Sequence, residues 1–204
     1  MKMIEPFLRP VEVTALRPTQ MTVGMSEVER KRRLWREHSE RDGPEFLGRH
    51  MLPVVLGPDE RHWLIDHHHL ALALHQEGAG HVLVNIVADL RVLKRQAFLV
   101  FMDNRNWLHP YDAQGKRQPA KDLPKRITNL GDDPFRSLAG ALRRAGGYAK
   151  VPTPYSEFLW ADFLRRRISA EKLAKNPEAA LTKALSIARD KDADFLPGWC
   201  GAQD

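Results

Sequence analysis

Residues 61–74 read RHWLIDHHHLALAL, and this stretch joins a predicted strand to a predicted helix. The apolar run HWLI ends at Asp66, three consecutive histidines follow, and a Leu/Ala-rich segment with high helix propensity comes next. A helix that begins directly after a strand points its free backbone N–H groups beyond the edge of the sheet. There they favour an anion, phosphate above all. The stretch therefore predicts a strand–turn–helix unit with Asp66, His67, His68 and His69 at the turn.

The segments that flank this turn predict the rest of a small sheet. LPVVL (52–56) and HWLID (62–66) enclose the turn sequence GPDER, which is typical of a β-hairpin. HVLVNIVADL (81–90) is apolar on both faces and predicts a central strand. VEVTALRP (11–18) predicts a single short strand. Residues 25–43 predict a helix that is N-capped at Ser26 and that ends at Gly43-Pro44.

The C-terminal part of the sequence predicts helices. A polar loop that contains Pro and Gly follows residue 108, and helix starts are indicated at Asp133-Pro134, Thr153-Pro154 and Pro177. The element order predicts an α+β fold, a small mixed α/β core with a helical C-terminal region. We place the core at residues 1–112 and the helical region at 113–204, either as a separate domain or packed on the core.

Composition excludes several classes of protein. The chain has 204 residues and one cysteine, which rules out a disulfide framework and cysteine-based zinc sites. No apolar run approaches the roughly 18 residues of a membrane helix. The first ten residues lack the apolar segment of a signal peptide. We therefore expect a cytoplasmic protein without a membrane partner.

The net charge of +6 is unevenly distributed. Residues 91–150 carry 13 Lys/Arg against 5 Asp/Glu. Such an excess is the electrostatic footprint of a protein that binds an anion or nucleic acid. A solvated basic face would give the same count, and both interpretations stay open at this point.

The turn itself allows several kinds of chemistry. Backbone N–H groups and imidazolium rings can hold phosphate oxygens, and a histidine can act as general acid or base near neutral pH. Asp66 can cap the turn, orient a histidine or hold Mg²⁺. The alternative is a capping aspartate followed by surface histidines. A structural zinc site is disfavoured, because adjacent residues of a helix point about 100° apart.

Other candidate residues lie elsewhere in the chain. Gln20 belongs to a loop that would face the turn, and Gly24 in the same loop is expected to permit a tight bend. Glu27 and Lys31, four residues apart, are either an ion pair on a helix or a general base and a phosphate contact. Arg136, near a predicted helix start, is either a phosphate clamp or a surface arginine.

The segment LPVVLGPDERHWLIDHHHLALAL (52–74) resembles the ParB/sulfiredoxin superfamily. Members of that superfamily place a motif such as G-E-R-R, G-C-H-R or D-G-H-H-R at a strand-to-helix turn before an Ala/Leu-rich helix. LRPTQMTVG (16–24) and the helix near Glu27 resemble the first strand, loop and helix. With DDPFRSLAGALRRAGGY (132–148) and PYSEFLWADFLRRR (154–167), nearly the full length resembles the group known as putative ParB-like nucleases.

The sequence departs from the superfamily pattern in ways that bear on function. His67 stands where the D-G-H-H-R motif has glycine, and His69 stands where it has arginine. The turn contains no cysteine, so sulfiredoxin chemistry is excluded. There is also no evident helix-turn-helix segment of the kind that partitioning ParB proteins use to read DNA.

The resemblance implies a phosphate-handling site. Sulfiredoxin uses ATP, partitioning ParB proteins hydrolyse CTP, and a free serine kinase of this fold transfers phosphate from a nucleotide. For this chain, the resemblance implies nucleotide-dependent phosphoryl transfer to a small hydroxyl-bearing acceptor, or nucleoside triphosphate hydrolysis. Mg²⁺ would bind at Asp66, and the expected catalytic residues are Glu27, Asp66 and His68. The expected phosphate contacts are Gln20, Lys31, His67, His68, His69 and Arg136. The alternatives are phosphodiester cleavage by a nuclease, and a non-catalytic module that binds nucleotide or nucleic acid.

Overall fold

A five-stranded mixed sheet forms the centre of the N-terminal part of the chain. This computed structural model describes residues 8–201, with the backbone alone for residues 8–9 and 40–46. The strands are β1 (Leu8–Glu12), β2 (Arg17–Pro18), β3 (Thr22–Val23), β4 (Leu52–Leu56), β5 (His62–Leu64), β6 (His81–Asp89) and β7 (Gly131–Asp132). The sheet has the order β1-β6-β4-β5-β2, and β3 and β7 form a separate parallel pair. With the helices, this confirms the predicted mixed α/β fold.

The hairpin is confirmed, and β6 lies inside the sheet as expected. β4 is antiparallel to β5, with Val55 opposite Trp63, and β4 is parallel to β6. β6 differs from the expectation in burial: Val82 and Val84 are buried, whereas Val87 is 42% exposed. One face of this strand therefore meets solvent, as is common in sheets with antiparallel pairs.

The strand predicted over residues 11–18 is in fact two strands. A 3₁₀ turn at Val13–Ala15 separates β1 from β2. β1 pairs with β6 and β2 pairs with β5, so the two strands lie at opposite edges of the sheet. Val13 and Leu16 are both buried at this crossing. The apolar alternation continues through the turn, and for that reason the sequence pattern did not reveal it.

The described part of the chain also contains seven α-helices. They are α1 (Met25–Arg49), α2 (His68–Gln76), α3 (Arg95–Asn104), α4 (Pro134–Arg144), α5 (Ser156–Arg165), α6 (Ala170–Lys175) and α7 (Pro177–Ala188). α2 shares the main core with the inner residues of the sheet and with Val28 of α1. Phe98 and Met102 of α3 pack on Val55 and Trp63 in a second cluster. α4, α5, α6 and α7 form a third.

Several predicted helix boundaries are confirmed and others are shifted. Asp133 caps α4 by accepting from the Phe135 N–H, and the break at Pro177 is present. α5 begins at Ser156, slightly later than expected. α1 starts at Met25 without a Ser26 cap and continues past Gly43-Pro44 to Arg49. Among the described helices, none combines the length and apolar character needed to cross a membrane.

The first turn of α1 is capped from the C-terminal half of the chain. The Met25 N–H donates to Asp132 Oδ1 at 2.9 Å, and the Ser26 N–H donates to Ser137 Oγ at 3.2 Å. A Cβ atom on Gly24 would lie 2.7 Å from the Ser137 nitrogen. The glycine therefore permits a close approach of α4, and the expectation of a tight bend is corrected.

The region after residue 112 contacts the core at more than one point. Ile127 and Leu130 are buried in the same cluster as the sheet and α2, and β7 pairs with β3. α4 also packs on α1. The boundary at residue 112 remains a prediction. These contacts bring α4 and α5 to the end of the sheet where the histidine turn lies.

Candidate functional site

The histidine turn enters α2 through a residue in the left-handed conformation. His67 has φ 64° and ψ 25°, and α2 begins at His68. Left-handed backbone favours glycine, and histidine is one of the side chains that tolerate it better than most. This explains why His67 can replace the glycine of the D-G-H-H-R motif. Asp66 Oδ1 accepts the His67 N–H at 2.6 Å, which lies before the first helical residue, so this bond closes the strand-to-helix turn and leaves the N-terminus of α2 without a side-chain cap.

His68 is buried and holds a neighbouring loop. Its Nε2 accepts the backbone N–H of Thr19 at 3.1 Å, and the residue is 3% exposed. Thr19 Oγ1 donates in turn to the Leu64 carbonyl at 2.7 Å. Burial lowers the pKa of His68 to about 3, so the ring is neutral at physiological pH. These contacts are those of a histidine that positions backbone, and its expected catalytic and phosphate-binding roles remain predictions.

His69 holds the same loop at a second point. Its Nε2 accepts the Gly24 N–H at 3.0 Å. Burial and the charge of Arg136 lower the pKa of His69 well below its usual value, so this ring is also a neutral acceptor. Of the three histidines, His67 has the exposed ring, at 39% of its side-chain surface, and burial lowers its pKa as well.

A cavity of about 450 Å³ lies over the turn. One wall is the turn, residues 65–69, together with Gln20. The rest of the lining comes from Asn106, from α4 and from residues 150–158, which include the first turn of α5. The charged residues that line the cavity are Asp66, Arg136, Arg143, Lys150 and Glu157. Three cations and two carboxylates therefore line the cavity into which the N-terminus of α2 opens.

Arg136 lies in the wall of the cavity. The residue is 9% exposed, its guanidinium lies 5.2 Å from the centre of the Phe158 ring, and its Nε is buried without a hydrogen-bond partner. One carboxylate, that of Glu157, lies 3.8 Å from Arg136 and 3.0 Å from Arg143. The buried guanidinium is thus not fully satisfied by the protein.

The N-terminus of α5 opens into the cavity, and, like α2, this helix follows a residue in the left-handed conformation. Tyr155, the residue before α5, is left-handed at φ 58° and ψ 22°. Neither helix has a side-chain hydrogen bond at its N-cap. The Tyr155 hydroxyl donates to the Asn106 carbonyl at 2.6 Å. The ring centre of His109 lies 3.9 Å from that of Phe158 in a tilted arrangement, and the His109 backbone N–H donates to the Thr19 carbonyl. These contacts fix α5 relative to the loop that the histidines hold.

Gln20 lines the cavity, whereas Glu27 and Lys31 do not belong to its lining. Gln20 Nε2 donates to the Thr22 carbonyl at 2.7 Å. Glu27 is 6% exposed and forms ion pairs with Arg144 and Arg30. Burial and the charge of Arg30 lower the pKa of Lys31. The expected roles of Glu27 as general base and Lys31 as phosphate contact stay predictions.

Sequence reasoning missed three charged residues of the cavity, Arg143, Lys150 and Glu157. A signal existed for Arg143, because it follows Arg136 by seven residues, two turns of a helix, and so shares its face. No local pattern marks Lys150 or Glu157.

The described residues contain no group of three or more His, Cys, Asp or Glu side chains that could hold a metal ion. Asp66, whose side chain is 78% exposed, is the carboxylate available in the turn. Mg²⁺ is commonly bound by one or two carboxylates together with substrate phosphates. Asp66 therefore fits a metal that arrives with a nucleotide, and does not form a metal site by itself.

Comparisons with known proteins support the resemblance seen in the turn. The profile of a family described as "Putative ParB-like nuclease" matches residues 9–166. The crystal structure of protein Atu1540 from Agrobacterium tumefaciens is similar, with a TM-score of 0.92 and 53% sequence identity. The match covers 98% of this chain and 100% of that one. A search of the curated proteins found no match.

Proposed function

We propose that this chain, which belongs to the family described as "Putative ParB-like nuclease", binds the phosphates of a nucleotide in the cavity over the histidine turn. One observation carries the proposal. Two helix N-termini without side-chain caps, each entered through a left-handed residue, open into the cavity that Arg136, Arg143 and Lys150 line.

The backbone alone makes this cavity attractive to an anion. Free N–H groups at a helix N-terminus bind phosphate, and the helix dipole adds to the attraction. A left-handed residue directly before a helix gathers successive N–H groups into a concavity of the type that binds anions. α2 and α5 both present this arrangement, after His67 and Tyr155. At α5 the Ser156 and Phe158 N–H groups already donate to the Thr153 and Tyr155 carbonyls, so α2 would supply most of the backbone donors and α5 fewer.

The dimensions of the cavity favour a small ligand over a polymer. A volume of about 450 Å³ lies within the range of roughly 300–1,000 Å³ typical of small-molecule sites. Part of the opening is lined by Tyr155, Phe158 and prolines, which suit the apolar part of a nucleoside. A mononucleotide with its phosphates at the helix termini fits these features.

The proposed reaction is phosphoryl transfer from the nucleotide, or its hydrolysis. Such reactions depend on positioning and charge stabilisation, which the three cations and the backbone donors would supply. Mg²⁺, held by Asp66 and the phosphates, would neutralise charge that develops on the phosphoryl group. His67, neutral and exposed at the turn, would accept a proton from the attacking hydroxyl. His68 and His69 would act by holding the Thr19 and Gly24 backbone.

Phosphodiester cleavage is the second candidate function. The description of the family as a ParB-like nuclease favours it. The same cations and His67 would then act on an internucleotide phosphate rather than on a free nucleotide.

The first test is calorimetric titration with pyrophosphate, ATP, CTP and GTP, with and without Mg²⁺. Arg143→Gln should weaken binding, because a charge-assisted hydrogen bond contributes about 1.5–3 kcal/mol, roughly 10- to 100-fold in affinity. Arg166→Gln, an exposed arginine of the same helical region that does not line the cavity, should leave affinity unchanged.

Two results would contradict the proposal: no binding of any of these ligands, or equal weakening in both variants. For a ligand that binds, phosphate release or transfer is then measured with Asp66→Asn. Loss of Mg²⁺-dependent turnover with binding retained is the expected result.

A further inference from the structure

Four arginines converge on one surface outside the cavity. Arg17 of β2 pairs in register with Trp63 of β5, and Arg61 precedes Trp63 by two residues. Arg61 lies directly before β5 in extended backbone, with φ −78° and ψ 133°. Because side chains of extended chain alternate between faces, Arg17, Arg61 and Trp63 belong to the same face. Arg95, at the start of α3, lies with its guanidinium 5.8 Å from the centre of the Trp63 ring.

The fourth arginine is positioned by a hydrogen bond. Arg17 Nη1 donates to the Lys125 carbonyl at 3.0 Å, which places the following residue, Arg126, beside the same surface. We call Arg17, Arg61, Arg95 and Arg126 the arginine patch. The basic residues come from four separate segments, so no single run of sequence reveals their convergence.

The arginine patch is accessible and lacks carboxylate partners. Arg61, Arg95 and Arg126 are exposed, and Arg17 is half-buried. None of the four takes part in the ion pairs found among the described residues. Burial lowers the pKa of Arg17, and the charges of the other three arginines lower it further, opposed by Asp59. The protein therefore holds four positive charges near one another, with Asp59 as an opposing carboxylate that forms no ion pair with them among the described residues.

We infer that the arginine patch is a docking surface for the phosphodiester backbone of a nucleic acid. A cluster of guanidinium groups attracts a polyanion, and an exposed guanidinium can bind phosphate with two parallel hydrogen bonds. The aromatic ring at this surface, Trp63, is 4% exposed and unavailable for stacking on bases. The patch is thus suited to backbone contacts, which fix position without reading sequence.

The patch lies next to the cavity along the chain. Arg17 of the patch and Gln20 of the cavity lining are three residues apart, a span of roughly 10 Å in extended chain. The inference does not require that the cavity bind a nucleotide. If both hold, a nucleic acid on the patch would pass close to the histidine turn.

The test is fluorescence anisotropy with a labelled 20-base-pair DNA duplex of arbitrary sequence, repeated over a series of salt concentrations. Each phosphate neutralised on B-DNA contributes about −0.9 to the slope of log K against log salt. The double variant Arg95→Gln/Arg126→Gln should reduce the steepness of that slope by about 1.8. Thermal unfolding would verify that the exposed substitutions leave the fold intact.

A matched control removes the same charge elsewhere. Lys172→Gln/Lys183→Gln changes two cations in the groove formed by α6 and α7, and its slope should remain that of the wild type. Equal changes in both double variants would overturn the inference, since net charge alone would then explain binding. Equal competition by polyglutamate at the same charge concentration would also overturn it, and would indicate a site for an acidic protein. Failure of the pyrophosphate titration leaves this experiment unaffected, so the two proposals can fail separately.

Discussion

The left-handed backbone at His67 predicts an unusual order of stability between two variants. Holding a residue other than glycine in this conformation costs about 1–2 kcal/mol. His67→Ala keeps that cost, whereas His67→Gly removes it and loses about 0.5–1 kcal/mol through the greater freedom of the unfolded chain. His67→Gly should therefore be more stable than His67→Ala by about 1 kcal/mol. The side chain lost is the same in both, including its exposed contact with Asp66 at 3.9 Å.

Thermal and urea unfolding would measure this difference. For a chain of this size, 1 kcal/mol corresponds to a shift in Tm of about 2–4 °C. His75 lies within α2 and offers a control with the opposite sign, because glycine is less stable than alanine by about 0.5–1 kcal/mol inside a helix. An alanine variant at position 67 as stable as the glycine variant would refute the assigned conformation of the turn.

The same two variants separate the ring of His67 from its backbone. Both remove the imidazole, so both should lose the turnover that depends on a proton acceptor at this position. His67→Gly should retain pyrophosphate binding, because the backbone donors before α2 keep their arrangement.

Three further predictions follow from packing, protonation and charge. Gly24→Ala should destabilise the protein by about 1–3 kcal/mol, measured by urea unfolding, because the new methyl group would overlap the start of α4. Stability should fall as pH decreases from 6.5 towards 3, because His68 binds a proton in the unfolded chain before it does so in the folded one. His68→Gln should reduce that slope by up to about 1.4 kcal/mol per pH unit. Glu157→Gln should strengthen pyrophosphate binding, since it removes the carboxylate that competes for Arg136 and Arg143.

Each of these predictions has a control and a contrary outcome. Gly48→Ala, at a position with no atom within 4 Å of the new methyl group, should not destabilise α1; a similar loss at both glycines would contradict the packing argument. His69 and His109, whose pKa values are also lowered, would keep part of the slope in His68→Gln. An entirely unchanged slope between pH 6.5 and 3 would show that protonation of His68 does not contribute to it. Glu171→Gln changes an exposed carboxylate outside the cavity, and a gain in affinity there would remove the special role of Glu157.

The elements that sequence predicted correctly are those specified by short segments. The hairpin, α2 and the start of α4 at Asp133-Pro134 are each encoded by turn or capping residues within a few positions. The crossing between β1 and β2 was missed because apolar residues continue through the 3₁₀ turn. The continuation of α1 to Arg49 was missed because Gly43-Pro44 is a sequence that usually ends a helix, whereas α1 continues through it.

In the candidate site, too, only the part encoded by a short segment could be predicted from the sequence. The wall that contains Asp66 and His67 follows from one stretch of sequence. The wall that contains Arg143, Lys150 and Glu157 comes from more than seventy residues further along and depends on how α4 and α5 pack. The roles of His68 and His69 were equally inaccessible, since their partners Thr19 and Gly24 lie about fifty residues upstream.

Because α2 and α5 open into one cavity from distant parts of the chain, a bound anion would act as a noncovalent crosslink between them. Its binding energy would be added to the interface that joins the sheet to the C-terminal helices. The loop of residues 109–124, which runs between those parts, would then become harder to cleave by protease when ligand is present. Ligand occupancy would in this way be linked to the mechanical coupling of the two halves of the protein.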